Sequence, residues 1–201
     1  MFKKYEITSD CKTVEGVKVC RVKALKDFNV NKFVNIKKGD LGGFIEKESN
    51  LSHEGGAWVF GDAVVFEDAL VKDDASVDEH ALIYGDAVVS GNARVEGTAW
   101  VSDDAWIGGD ALIRGNAVVF DYALVRGNAV VGGEAVVKDY AVVKDNVVVE
   151  GDAVVECDTK LLDSVKVSGG MVCASENITF DSQGKLDNYL KDVKKYEDIK
   201  E

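Results

Sequence analysis

The sequence predicts an all-β chain that winds into a three-sided parallel coil, with an N-terminal β-hairpin cap and a C-terminal α-helix. Three observations predict it. A six-residue period runs through the middle of the chain, one place in each period holds a β-branched residue, and helical apolar spacing is confined to the end. Cut every six residues from Gly55, the chain reads GGAWVF, GDAVVF, EDALVK and onward to GGMVCA, 20 hexads ending at Ala174 with no insertion or deletion. Position three is Ala in 16 of the 20 and position five is Val or Ile in 18, so these two define the inward set. Position two is Asp or Asn in 12 and position one is Gly in 11.

Side chains alternate along a strand, so positions three and five share one side, a small residue followed by a branched one. Gly, Asp and Asn at positions one and two tolerate left-handed backbone and make tight corners. Each hexad is therefore a short strand plus a corner. Six is not a near-multiple of 3.6, and the strand positions are rich in Val, so a helical reading fails. A corner every six residues makes three sides, and three hexads make one coil stacked ~4.8 Å above the last.

The motif V-x-G-[DN]-A-x resembles the hexapeptide repeat of left-handed parallel β-helices. With Val22-Lys-Ala-Leu-Lys-Asp-Phe28, Gly39-Asp-Leu-Gly-Gly-Phe-Ile-Glu46 and Asn50 to Val59, the chain is similar to bacterial and prophage-encoded hexapeptide-repeat proteins labelled acetyltransferase or polymer-forming. The resemblance covers residues 5 to about 174 and implies a left-handed hand for the coil. One feature departs from the acyltransferase branch, which usually places Gly directly after the branched residue. Here that place holds residues such as Phe60, Phe66, Lys72 or Arg114, and Gly is commonest one place later.

The elements follow in order. Residues 1–54 form a hairpin and capping segment. Cys11 to Cys20 reads as two strands around a Glu15-Gly16 turn, which sets Cys11 opposite Cys20. A disulfide is geometrically possible there, but in a reducing compartment a pair of half-buried thiols is expected. Leu41 to Ile45 is expected to cross the open end of the prism, because a terminal coil otherwise exposes apolar surface and strand edges. Residues 55–180 form a β-helix of about seven coils, closing with a strand over Glu176–Phe180. Residues 181–201 carry an amphipathic helix over Lys185–Glu201, with Leu186, Tyr189, Leu190, Val193, Tyr196 and Ile199 at helical spacing and Asp181 or Ser182 as cap. That helix docks on the prism's flank or on a neighbouring subunit.

Composition excludes several classes. The 201 residues carry 24 Lys+Arg against 36 Asp+Glu, net −12, and 46% are apolar, so the chain has a core and is not an acidic disordered one. No apolar run approaches the ~18 residues of a membrane span, and the start lacks a signal peptide's apolar stretch. The expected location is the cytoplasm. By region the net charge is +3 over 1–54, −14 over 55–180 and −1 over 181–201. An acidic prism argues against direct nucleic-acid binding, which needs a cationic surface. It fits either turn chemistry, since many acids sit at corners, or a mimic of DNA that occupies a nucleic-acid-binding protein.

Candidate chemistry is sparse. Hexapeptide acyltransferases are implied by the resemblance to be trimers with a catalytic His at a subunit cleft, walled by loops that interrupt the coil. This chain has two histidines, His53 in the entry segment and His80 at a corner of unbroken repeat, and its sequence shows no group to orient either. Two histidines cannot supply the three-His zinc site of the related γ-type carbonic anhydrases. Cys157 and Cys173 lack CxxC spacing, and Cys173 replaces an inward Val, so a core role is expected and no metal or cofactor. Gly42-Gly43 and Gly108-Gly109 match no phosphate loop and read as turns.

Position four faces outward, and stacked residues differ by 18. One side shows Val64, Leu82, Trp100, Val118, Val136, Val154 and Val172, and the next Leu70, Val88, Trp106, Leu124, Val142 and Lys160. The third is mixed, with Trp58, Ser76, Arg94, Leu112, Val130, Val148 and Lys166. Two long apolar stripes are not left in water by a monomer. The sequence therefore points to a homo-oligomer, a dimer or trimer, joined by the first side. The leading expectation is a non-enzymatic structural or binding protein of phage or prophage type. The alternatives are an acyltransferase with divergent or lost chemistry and an acidic anti-defence inhibitor.

Overall fold

The computed structural model describes residues 3–31, 34–174 and 178–197, the last four by backbone alone. It is a parallel β-solenoid of about seven turns with an N-terminal antiparallel hairpin and a C-terminal helix, as the repeat predicts. Two-residue strands recur every six residues and stack 18 apart on three faces. Face I runs from Leu41–Ile45 through Trp100–Val101 to Met171–Ala174, face II from Leu70–Val71 to Thr179–Phe180, and face III from Trp58–Val59 to Lys166–Val167. Coils are joined by backbone hydrogen bonds to the next turn, as in Trp100 N–H to Ala117 O at 2.9 Å.

The corners explain the composition. Every position-one residue from Gly55 to Gly169 has positive φ. An L-residue there costs about 1 kcal/mol or more, which is why Gly dominates and Asp is the usual alternative. The acids also act as caps. Cys157 N–H donates to Asp139 Oδ2 at 2.9 Å, Asp139 N–H to Asp121 Oδ2 at 3.2 Å, and Gly85 N–H to Glu67 Oε2 at 2.8 Å. A corner carboxylate thus satisfies a corner amide one coil on, so part of the prism's negative charge serves the corners. Inward residues such as Ala99, Val101, Ala105 and Ile107 are fully buried, as the pattern requires.

At the N-terminus, β1 (Tyr5–Val14) and β2 (Val17–Ala24) pair antiparallel with Cys11 opposite Cys20, and the turn residues Glu15 and Gly16 have φ of 49° and 82°. The two cysteines are joined as a disulfide, not left as thiols. A second, short hairpin is made by β3 (Phe28–Val30) and β4 (Val34–Ile36). The segment β5 (Leu41–Ile45) does not cross the open end. It pairs in parallel with Val64–Val65 and is the first rung of face I. Gly42 and Gly43 lie within this strand and are not turns, because a Cβ on them would come 2.6 Å from Val59 O and 2.7 Å from Ala63 O. The first coil is covered instead by the hairpins, through Tyr5, Val22, Ala24, Val30 and Ile36. Their contact also buries Trp58, expected outward, against the rings of Tyr5 and Phe28 at 6.2 and 5.3 Å.

At the other end the repeat loses one residue. Val136 pairs with Val154, 18 on, but Val154 pairs with Met171, 17 on. Val172 and Ala174 therefore point inward, while Met171 and Cys173 point outward, reversing the expectation for Val172 and Cys173. The buried Thr159 absorbs the slip, its hydroxyl accepting from Ala174 N–H at 2.9 Å and donating to Val172 O at 3.3 Å. Helix α1 (Gln183–Glu197) begins two residues before the expected start. Residues 176 and 177 of the expected last strand, the Tyr196 side chain and Ile199 lie outside the described residues. The helix packs on the last coil. Leu186 joins the core, Tyr189 meets Phe180 at 5.1 Å and donates its hydroxyl proton to Cys173 O. The Gln183 amide accepts from Lys166 N–H at 2.8 Å and donates to Lys166 O at 3.1 Å, imitating the peptide of a further rung.

Candidate functional site

Face I divides into a covered part and an uncovered part. The tip of the β1–β2 hairpin folds over its beginning, where Val14, Val17 and Val19 pack on Phe44, Val64, Phe66, Leu82 and Tyr84. Lys12 and Arg21 close the edge by lying over the Phe44 ring at 3.9 and 4.2 Å. Val64 is buried within the chain and Leu82 is half-buried. The uncovered part starts at Trp100, 49% exposed, and continues through the half-exposed Val118, Val136 and Val154 to the exposed Met171. Two small clefts flank the Trp100 ring. One of about 310 Å³ lies against Phe66, Leu82 and Tyr84 with Glu15 of the hairpin turn, and one of about 320 Å³ lies against Thr98, Asn116 and Val118.

Face II carries Leu70, Val88, Leu124 and Val142, all half-buried, around Trp106 at 54% exposure. The Trp106 indole N–H donates to Ser90 Oγ at 3.0 Å, so the ring lies fixed on the sheet. At the corner between these faces Tyr122 and Tyr140 stack on one another at 5.1 Å and 3°, both mostly exposed. Their signal in the sequence is a Tyr at position two in two hexads 18 residues apart. Among the described residues helix α1 meets only the last coil, at Phe180, Cys173 and Lys166 and across a cleft from Met171, and so covers neither stripe along its length.

The structure gives His53 partners that the sequence does not reveal. Lys4 N–H donates to its Nδ1 at 3.2 Å, which leaves the proton on Nε2, and Nε2 meets Glu48 Oε1 at 2.9 Å. Both ring nitrogens are engaged within the chain, and the ring lies 4.3 Å from that of Tyr5. A general base needs a nitrogen that reaches substrate. Lys3 and then His53 hold the Glu48 carboxyl below its usual range by hydrogen bonding. Beside them Lys4 is buried, its ammonium donating to Ala57 O at 2.7 Å, and burial lowers its pKa to about 8. Burial likewise pushes the Tyr5 phenol up. His80 is an exposed corner residue, far in sequence from this cluster, whose amide joins the ladder to Gly97 O.

The second cysteine pair, Cys157 and Cys173, is joined as a disulfide at the outer side of face I. Both residues are half-buried, and Glu156 lies with them, one ligand atom of each falling within 4.8 Å of the others. The core role expected for Cys173 is therefore replaced by an outward one, for the reason that the last coil is one residue short. Among the described residues, no helix is long and apolar enough to cross a membrane. No protein-family model matches the chain, and no curated protein matches it. The fold by itself defines a parallel β-solenoid with two apolar outer faces and a third that mixes apolar with charged residues.

Proposed function

We propose that this chain is a non-enzymatic assembly or binding protein that self-associates through the uncovered part of face I. The observation that carries the reading is the ladder Trp100, Val118, Val136, Val154 and Met171, left exposed or half-exposed after the chain's own hairpin and helix have docked elsewhere. Successive rungs keep it rigid, so little order has to be created on association. Burying such side chains is worth on the order of ten kcal/mol across two copies before association costs are subtracted. Closed symmetry, a dimer or trimer, consumes the patch without open fibres. The likeness to prophage-encoded polymer-forming hexapeptide-repeat proteins points the same way.

The engaged ring nitrogens of His53 support this reading over an acyltransferase. The corner carboxylates that cap amides support turn chemistry over DNA mimicry as the source of the acidic charge. The test replaces Trp100 and Val118 with Lys and Glu together and measures mass by light scattering. An oligomer that becomes a monomer is the expected result. A wild type already monomeric at micromolar concentration overturns the proposal. So does saturable acetyl-CoA binding that is lost on changing His53 or His80.

A further inference from the structure

We propose that Glu156, Cys157 and Cys173 form a latent metal site, which binds a thiophilic divalent cation of the zinc type once the Cys157–Cys173 bond is reduced. Two departures from the repeat converge on this spot. Cys157 occupies a left-handed corner, φ 63°, where the other occupants are Gly, Asp and Glu. Cys has no turn chemistry to recommend it there, and it interrupts a column in which Asp103, Asp121 and Asp139 each cap the amide above. Cys173 faces outward only because the last coil is one residue short, and that slip sets it opposite Glu156 in the parallel ladder. The ligands come from adjacent coils, so no local CxxC spacing marks them.

The site is held by bonds other than the disulfide. Cys157 N–H is fixed on Asp139 Oδ2 at 2.9 Å, and Cys173 O accepts the Tyr189 hydroxyl. Four consecutive residue pairs, Val154–Met171 to Cys157–Ala174, tie the two strands together. Reduction therefore leaves the two sulfurs facing each other, with Cα atoms 5.4 Å apart. Tetrahedral coordination at ~2.3 Å from each sulfur needs the sulfurs about 3.8 Å apart, which side-chain rotation supplies. Glu156 is oriented by Lys138, whose ammonium lies 2.8 Å from Oε2, an outer contact of the kind that fixes a ligating carboxylate. A cleft of about 470 Å³ between Gly170, Met171 and Cys173 on one side and Tyr189, Leu190 and Val193 on the other opens onto Cys173.

The chemistry balances. A dithiol reductant passes two electrons and two protons to the disulfide and itself becomes a disulfide. The cation then displaces both thiol protons. Two thiolates and one carboxylate suit a borderline-soft d¹⁰ ion, with water as the fourth ligand. The site is thus closed when oxidised and able to bind metal when reduced.

The test uses the full chain with Cys11→Ser and Cys20→Ser, so that the other cysteine pair is silent. A phosphine reductant is added, which takes one water and leaves two thiols and a phosphine oxide. Cd²⁺ is then titrated while sulfur-to-metal charge-transfer absorbance is read. One saturable equivalent per chain is expected, together with protection of both cysteines from alkylation. Glu156→Gln, which keeps both cysteines, should weaken binding tenfold or more. Cys173→Ser should abolish the band. The proposal is overturned by a pair that yields no thiols under the phosphine or by absence of a saturable band. Half an equivalent per chain, or unchanged affinity in Glu156→Gln, overturns it equally.

Discussion

Val118 and Val119 are adjacent, identical and on one rung of face I, yet they face opposite ways, so they give an internally controlled test. Val119 is fully buried, stacked between Val101 and Val137, whereas Val118 is half-exposed between Trp100 and Val136. Truncation to Ala removes the same two methyl groups from each. At ~0.8 kcal/mol per buried group the transfer loss at Val119 is ~1.6 kcal/mol. The coil spacing above and below is held by Ser102 N–H to Val119 O at 3.0 Å and Phe120 N–H to Val137 O at 3.1 Å. The cavity therefore cannot collapse, and its own cost raises the total to about 2–3 kcal/mol. Val118→Ala should cost less than about 1 kcal/mol of folding stability, and should instead weaken self-association. Urea unfolding of both variants at one protein concentration, with mass by light scattering, separates the two effects. Equal or reversed stability losses would refute the inward and outward assignment on which the face I argument rests.

Three further outcomes follow from the same geometry. Ala99→Leu should overpack the narrow prism and cost ~1–3 kcal/mol in urea unfolding; unchanged stability would contradict the fully buried position of Ala99. Leu186→Ala should cost about 2–4 kcal/mol, because this fully buried side chain joins the helix to the core. The third concerns pH. The Lys4 ammonium is pushed down to about 8 from its ordinary 10.5, chiefly through burial and then the charge of Lys26, with Asp74 opposing. Below pH 8 both folded and unfolded forms are protonated and the full cost of the buried charge, about 3 kcal/mol, is present. Between pH 8 and about 10.5 the unfolded form binds the extra proton, so stability rises with pH. Tyr5 acts in reverse, since its raised pKa makes stability fall once pH passes its ordinary value near 10. Lys4→Met should flatten the rise above pH 8 and Tyr5→Phe the fall above pH 10, both read from urea midpoints.

The proposed self-association turns on a division of labour among the outward residues that the stripes alone do not show. All of Val64, Leu82, Trp100 and Val118 occupy equivalent places in the repeat, yet the hairpin tip takes the first for the monomer's own packing and partly covers the second. The exposed surface begins where the hairpin ends, at Trp100, and the clefts beside that ring are bounded partly by the hairpin turn at Glu15. The N-terminal hairpin thus shapes the face as well as covering the first coil.

The coil is legible in the residues alone. Alternation within a strand and left-handed backbone at a corner are local properties, so Ala and Val or Ile on the inside and Gly or Asp at position one can be read without knowing any distant contact. The same locality made the placement of Cys11 opposite Cys20 legible, though not the bond between them, because a two-residue turn sets its own register. The features that were not legible depend on residues far apart in the chain. Lys4 reaches His53, 49 residues on, because the hairpin returns to the first coil. Trp58 is buried because Phe28 comes to lie against it. One missing residue near Gly169 turns Val172 inward and Cys173 outward, a change invisible in composition, since a shift of one residue exchanges the two sides of a strand. Glu156, Cys157 and Cys173 meet through stacking of successive coils, and stacking register, unlike corner chemistry, is set by the whole length of backbone between them.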